Sequence, residues 1–342
     1  MKRLASIDIF RGLTIFLMIL VNTQSGGGFE YLIHKSGYGW TLADLVYPSF
    51  IFIMGASVYL SNRKYTSGPN DLIIKHILRR TLLIFLMGLL FNWIPFTDNL
   101  SDLRVMGVLQ RIALIYLGCS LLTLKVKSSS TLLAISGGIL LAYGLVTSIY
   151  SYDLVDQLDL LVIGSKNMYT PTHDPEGILS SLPALVNALL GFVAAKNLSE
   201  DESEKRITKL TILSVSLIIA AQVLHLTIVP ISKTYWSPSF VLLTSGVAMA
   251  SWIVFHLICD INGKTKWGIV FTIFGTNSIF CYLLSEVLAV YFWKWGLANT
   301  IVDFYKSYLN SEMTSLCWGL TILLLCLIAV YPLYRKKIFL KL

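Results

Sequence analysis

Charge is the scarcest thing in this sequence: Asp, Glu, Lys and Arg together make up only 13% of its 342 residues. A soluble domain devotes about a quarter of its positions to those four residues, so this chain is too poor in charge to cover an ordinary water-facing surface. Acid is scarcer than base, 19 residues against 27, which leaves a net charge of +8. The Lys and Arg sit in short connectors between apolar runs, which argues against a nucleic-acid-binding stripe. Cysteine is also sparse. Cys119, Cys259, Cys281, Cys317 and Cys326 lie in or beside apolar segments without a C-x-x-C pair, so they read as packing residues rather than a disulfide framework or a metal site. A Walker loop, a dinucleotide glycine fingerprint, an H-E-x-x-H and a G-x-S-x-G elbow are all missing. The opening M-K-R-L-A-S-I-D-I-F-R-G is polar early and lacks an A-x-A site, so its apolar run is expected to stay as a helix. No repeat, low-complexity tract or appended soluble domain is expected.

What the chain does have is apolar length. It is 55% hydrophobic with a mean hydropathy of +0.70, which predicts an integral membrane protein. Runs long enough to span a bilayer lie near 5–22, 41–62, 78–95, 105–124, 130–150, 179–198, 208–229, 237–258, 267–292 and 313–334. The expectation is an all-α, polytopic transmembrane helix bundle of about ten helices (ten to eleven), forming one domain over 1–342. The aromatic stretch Tyr291 to Trp295 blurs the end of the ninth. Most basic residues, from Lys2, Arg3 and Lys64 through Lys127, Lys205 and Lys266 to Lys337 and Lys341, fall on one side. Only Lys35, Arg104, Lys166, Lys233, Lys294 and Lys306 fall on the other, which predicts both termini in the cytoplasm. Loops 23–40 and 151–178 then face outward, and the segment 199–206 reads as a solvated cytoplasmic connector.

Ionisable groups where the chain enters lipid are candidate functional residues. His34 sits in an outward glycine-rich loop and is able to take a proton near neutral pH. Asp44, ten residues on, either orients that imidazole or pairs with an arginine. Asn22, just before the glycine run, and Asn277 with Ser278 in the ninth helix either stabilise an oxyanion or hold helices together. Asp8 and Arg11, three apart on the first helix, are placed to pair at its cytoplasmic end. Arg111, two turns from Arg104 on the same helical face, either joins it in neutralising a phosphate or a buried carboxylate or is satisfied by Asp44 or Glu286. His173, Asp174 and Glu176 either cap the following helix or contact a polar substrate. His76, His225 and His256 lie near helix ends and read as interfacial anchors.

Several segments together resemble the heparan-α-glucosaminide N-acetyltransferase family of polytopic membrane enzymes. They are S-I-D-I-F-R-G at 6–12, V-N-T-Q-S-G-G-G at 21–28 and H-K-S-G-Y-G-W-T-L-A-D-L-V-Y-P-S-F-I-F-I-M-G-A-S-V at 34–58. L-R-V-M-G-V-L-Q-R-I at 103–112, D-P-E-G-I-L at 174–179, W-S-P-S-F-V-L-L-T-S-G at 236–246 and F-G-T-N-S-I at 274–279 follow in the family's order. The resemblance implies acetyl transfer from acetyl-CoA, as co-substrate, to the amine of a terminal glucosamine. It places the family's active-site histidine on His34, its asparagine on Asn22 and its A-D-L-V aspartate on Asp44. The chain reads H-K-S-G where the pattern has H-A-x-W, and no large luminal region is expected before the first helix.

The reading that follows is a multi-pass enzyme of a bacterial inner membrane, with the lipid bilayer and an amino sugar as partners and no metal or nucleic acid. His34 is assigned as general base, with Asp44 and Asn22 completing the catalytic set. Arg11, Arg111, Asn277 and Ser278 are assigned to acetyl-CoA, and Asp174, Glu176 and Trp236 to the acceptor. A homodimer is what the family suggests. Two alternatives stay open on residues alone: a secondary transporter of an amino sugar, and an O-acetyltransferase of a cell-envelope glycan.

Overall fold

The computed structural model describes residues 4–63, 71–97, 99–200 and 204–340. Lys2, Arg3, Lys64, Lys341 and part of the 199–206 connector, all used in the charge argument above, lie outside the described residues. Within them every regular element is helical. The order is α1 (Ala5–Asn22), α2 (Leu42–Asn62), α3 (Asp71–Asn92), α4 (Val108–Lys125), α5 (Ser129–Tyr150) and α6 (Asp153–Ile163). There follow α7 (Ser181–Glu200), α8 (Glu204–Thr227), α9 (Pro238–Phe255), α10 (Ile269–Thr276), α11 (Ser278–Lys294), α12 (Leu297–Lys306) and α13 (Ser311–Arg335).

Eight helices among the described residues are long and apolar enough to cross a bilayer, and there are nine if α10 and α11, bent by 75° at their junction, count as one span. The chain is a multi-pass membrane protein. The tenth expected span is α3. Its 22 residues are long enough, but Asp71, Lys75, Arg79 and Arg80 leave only its second half apolar. Burial separates two kinds of span. In α2 and α7 78% of the apolar window is covered by protein, whereas in α8 it is 17%, so α8 presents its apolar surface to lipid.

Three departures from the sequence reading have physical causes. The segment 151–178 is not plain loop, because its acidic start Asp153 and Asp156 opens the amphipathic helix α6. The ninth span is not one rod. At Asn277 the backbone leaves helical geometry, with φ −127° and ψ 45°, and α11 restarts in a new direction. The uncertain stretch after it forms the short amphipathic α12.

Contacts divide the chain into two compact units, residues 1–36, 40–50 and 251–341 in the first and 37–39 and 51–250 in the second. In the first, α1 and α10 cross on glycine. A Cβ on Gly12 would lie 1.6 Å from the Phe271 carbonyl oxygen, and one on Gly275 would lie 2.1 Å from that of Asp8. Small residues at such crossings let backbones approach where apolar side chains gain little over lipid. Leu4 cannot cap α1, and Asp260 does it instead, accepting from the N–H of Ala5 at 2.8 Å and of Ser6 at 3.3 Å. Asp260 lies on the π-helical continuation of α9 (His256–Ile261) and also meets His256 Nδ1 at 2.9 Å. His256 is therefore buried and paired rather than an interfacial anchor.

In the second unit, α7 packs on the later half of α2 through the same device. Gly55 faces the Ala188 carbonyl and Gly191 faces that of Phe52, where added Cβ atoms would fall within 1.9 Å of oxygen. Asn187 on α7 adds polar fastening, donating to Ser245 Oγ at 2.8 Å and Thr244 Oγ1 at 3.1 Å on α9.

Candidate active site

The loop that carries His34 is built by its neighbours. Gly37 and Gly39, at φ 82° and 108°, take backbone conformations that other residues avoid, and the chain reverses over them toward α2. Thr41 precedes α2, and the acid of the T-L-A-D run reaches back to it, forming the acidic half of a capping box. Asp44 Oδ2 accepts from the Thr41 N–H at 3.0 Å and from its hydroxyl at 3.1 Å. The same oxygen accepts from the Lys35 N–H at 3.1 Å, and Thr41 Oγ1 donates to the Ile33 carbonyl at 2.7 Å. The backbone on both sides of His34 is thus tied to the start of α2.

Asp44 Oδ1 is what remains, and it meets His34 Nδ1 at 3.0 Å. The carboxylate is fully buried, while 40% of the histidine side chain is exposed. A carboxylate oxygen accepts, so in the neutral imidazole this contact puts the proton on Nδ1 and the lone pair on Nε2. An imidazole fixed in that tautomer, with its basic nitrogen on the side away from its carboxylate, is suited to general-base work.

Two other histidine–aspartate pairs occur among the described residues: His173 Nδ1 with Asp156 Oδ1 at 2.6 Å, and His256 with Asp260. Pairing alone is therefore not diagnostic. Exposure separates them, since the side chains of His173 and His256 are 20% and 1% exposed and the Nε2 of each is buried.

The remaining candidates of the first unit are placed as follows. Asn22, at the end of α1, donates to Glu286 Oε1 of α11 at 3.0 Å. Arg11 meets Asp8 at 3.6 Å and reaches the Gly275 carbonyl at 3.5 Å. Asn277 is 2% exposed and its amide is engaged by the end of the chain, donating to the Ile338 carbonyl at 3.2 Å and accepting from the Leu340 N–H at 2.8 Å. Ser278 is the first residue of α11.

In the second unit, Arg104 and Arg111 do not share a helical face. Helix α4 starts at Val108, after the extended segment that holds Arg104. Arg104 grips Asp174 with Nη2 at 2.7 Å and Nε at 3.1 Å, and Glu176 with Nη2 at 2.6 Å. Burial lowers the affinity of its guanidinium for the proton. The hydrogen bond to Asp174 and the charges of Glu176 and Asp174 outweigh that, and the net shift is upward. Arg111 is fully buried, and its partners are neither Asp44 nor Glu286. It donates to Ser180 Oγ, to Ser181 Oγ and to the Gly177 carbonyl, with its guanidinium 4.8 Å from the centre of the Trp236 ring. Trp236 is buried and gives its indole N–H to Asn187 at 2.9 Å.

Asp159, which the sequence reading passed over, and Glu286, which it offered only as a partner for Arg111, do much of this positioning. Asp159, on α6, accepts from the Ile178 N–H at 2.8 Å and from that of Leu179 at 3.4 Å, so it helps to clamp the 174–181 turn. Its only sequence signal was its place on an amphipathic run in an outer loop. Glu286 was visible as an acid inside an apolar run, but its partner is 264 residues away.

The fold and these groups define a class: a multi-pass helical membrane protein with an exposed imidazole oriented by a buried carboxylate. Residues 3–229 match the family described as heparan-alpha-glucosaminide N-acetyltransferase, catalytic, and the chain belongs to that family. Its relatives include the heparan-alpha-glucosaminide N-acetyltransferases of Mus musculus, 28% identical over an alignment 408 positions long, and Homo sapiens, 27% identical over one of 407. Each alignment takes in 99% of this chain and 60% of the relative, so the chain spans less than two thirds of their length.

Proposed function

We propose that this protein transfers an acetyl group from acetyl-CoA to the amine of glucosamine or a glucosamine-terminated saccharide. The observation that carries the reading is the exposed His34 imidazole, held through Nδ1 by buried Asp44 within the residues that match the family. The acceptor amine must be neutral to attack, and His34 Nε2 removes its proton as the new C–N bond forms. The thioester C–S bond then breaks, and the thiol of CoA leaves with a proton. Asp44 stabilises the imidazolium formed in between and keeps the ring in register. Asn22 supplies an N–H to the developing oxyanion, and Glu286, which accepts the amide's other proton, fixes which way that amide faces.

Glu176 is the acceptor-side acid that keeps some exposure, with Arg104 holding it and the buried Asp174 in place, while Trp236 is buried against Arg111 and Asn187 and acts behind that wall. The expected setting is a bacterial inner membrane, with acetyl-CoA arriving from the cytoplasm and the sugar from outside. Only the acetyl group would then cross the bilayer. The test is purified protein in detergent with acetyl-CoA and glucosamine, following N-acetylglucosamine by mass spectrometry and free thiol in parallel. Equal yields of both support transfer. Failure to consume acetyl-CoA with any amino sugar or glycan hydroxyl would overturn it and turn attention to transport.

A further inference from the structure

Three tyrosines far apart in sequence meet in the loops of the second unit, in a cluster that the reading above leaves unused. Tyr152, just before α6, and Tyr235, in the turn before α9, stack with ring centroids 4.2 Å apart and planes 11° apart. The Tyr235 hydroxyl donates to Asp156 Oδ2 at 3.4 Å, the other oxygen of that acid being engaged by His173. Asp153, one turn before Asp156 on α6, is exposed. Tyr38 joins the group from the tip of the His34 loop, and 57% of it is exposed. Burial pushes the Tyr152 phenol up to about 12, with Tyr38 and Tyr235 adding to the rise. Tyr235 is raised by burial first and then by Asp156, Asp153 and Tyr38. Both phenols therefore stay protonated and keep an O–H to donate.

Fixed backbone sets these rings in place. Gly37 and Gly39, on either side of Tyr38, both have positive φ, and the Gly39 N–H is fastened to the Ile231 carbonyl at 2.8 Å. Tyr143 fastens the other end, donating from its hydroxyl to the Tyr235 carbonyl at 2.7 Å. The next residue, Trp236, is at φ 53°, a left-handed conformation that a bulky side chain keeps only where its surroundings over-determine it. Trp236 goes into the core from there, while Tyr235 stays against α6. Strain of this kind gathers at ligand clamps. Packing accounts for Tyr152 and Tyr235. It does not account for Tyr38, whose ring is left exposed while the backbone beside it is held.

We propose that Tyr38, Tyr152 and Tyr235, with Asp153 and Asp156, form a saccharide-binding surface that, resting on the acetyltransferase reading, takes the sugars adjoining the acceptor glucosamine. Sugar rings present flat C–H faces that stack on aromatic rings, and their hydroxyls bond to phenols and carboxylates. Tyr38 follows His34 by four residues, and that length of backbone spans at most about 14 Å. The two aspartates select the class of sugar. They outnumber Lys233, the cation of the Tyr235 turn. They attract an aminated saccharide, whose ammonium also suits an aromatic face, and repel one that carries sulfate or carboxylate. The preferred acceptor is then a short aminated oligosaccharide rather than a free sugar or an anionic glycan.

The test compares glucosamine, its β-linked trimer and an O-sulfated trimer as ligands of the wild type, Tyr38→Ala, Tyr38→Phe and Asp153→Asn/Asp156→Asn. Binding is read by calorimetry, which needs no turnover, and, where transfer occurs, by KM and kcat. The expected result is that the wild type binds the trimer about tenfold more tightly than glucosamine, and the sulfated trimer no better than glucosamine. Tyr38→Ala should lose most of that advantage, through KM rather than kcat, and Tyr38→Phe should keep it. The double asparagine variant should narrow the gap between the plain and sulfated trimers. Equal affinity of the wild type for glucosamine and trimer, or a full advantage surviving in Tyr38→Ala, would overturn the surface even if transfer itself is efficient. A trimer preference that Tyr38→Ala abolishes, in a protein that transfers no acetyl group, would support the surface and remove the activity reading instead. Tighter binding of the sulfated trimer than of the plain one would overturn the assigned class of sugar. If Tyr38→Ala loses thermal stability in nanodiscs but binds the trimer as the wild type does, the ring is a membrane-interface anchor and the proposal falls.

Discussion

His34 and Asp44 show how one carboxylate does two jobs. Asp44 Oδ2 caps the start of α2 by accepting from the Thr41 N–H and Oδ1 holds the imidazole, so the helix start and the base share one fixed point. Asp44→Asn should therefore lose far more activity than stability. It keeps an oxygen for the cap but puts an N–H opposite Nδ1, which favours the wrong tautomer. We expect kcat to fall by about 10²-fold or more with a change in unfolding temperature of a few degrees. A collapse in stability that accounts for the whole loss would contradict this. His173→Gln, in the other loop pair, should leave kcat within about threefold. A loss as large as that of His34→Ala would mean that exposure is the wrong discriminator.

Asp159 gives a pH dependence of its own. Burial raises its carboxyl above the usual range, the N–H donors of Ile178 and Leu179 oppose this, and the charge of Asp174 adds to it. The folded state holds that proton more tightly than the unfolded chain. Its contribution is therefore full below the unfolded value of about 4 and is lost as pH rises through the raised folded value. Asp159→Asn should flatten that decline. Unfolding temperatures measured from about pH 4 to about pH 8 should diverge in the variant's favour as pH rises. Parallel curves would show that Asp159 is not the group responsible.

At the scale of elements, the crossings on glycine set the architecture. Gly12→Leu and Gly55→Leu each drive a side chain into a facing carbonyl, and each should cost about 3 kcal/mol or more, with loss of monodisperse protein in detergent. Gly137→Leu, where nothing lies within 4 Å of an added Cβ, should express normally and so serves as the control. Normal expression of all three would mean that the helices pack elsewhere. The spans and the all-helical fold were legible in the apolar runs because hydropathy and length are local properties. The break at Asn277 was not. No proline marks it, and what satisfies the Asn277 amide is the tail more than sixty residues on. The start of α2 was more legible than the reading used, since T-L-A-D is a capping signal in plain sequence and puts Asp44 at its third helical position.

For the molecule as a whole, the candidate site was readable to different depths. His34 and Asp44 stand ten residues apart, so their pairing was one of two options that the sequence offered. Arg104 with Asp174, and Asn22 with Glu286, depend on separations of 70 and 264 residues that only the fold closes. The spacing of Arg104 and Arg111 suggested one shared helical face, yet the two clamp different parts of the 174–181 turn, because the helix begins between them. Lys266, Arg335 and Lys337 illustrate the same limit. In sequence they are three more members of the basic bias, and only the returning tail turns them into one cleft.

The central claim is that His34, oriented by Asp44, removes the proton from the acceptor amine. The most direct measurement is a single-turnover rate of acetyl transfer from acetyl-CoA to glucosamine, in wild type and His34→Ala, with CoA affinity measured alongside. The account predicts a rate about 10²- to 10⁴-fold lower in the variant at unchanged CoA affinity, with part of the loss restored at high pH, where the free amine is abundant. A variant that transfers acetyl at the wild-type rate, or that loses CoA binding along with the chemistry, would contradict it.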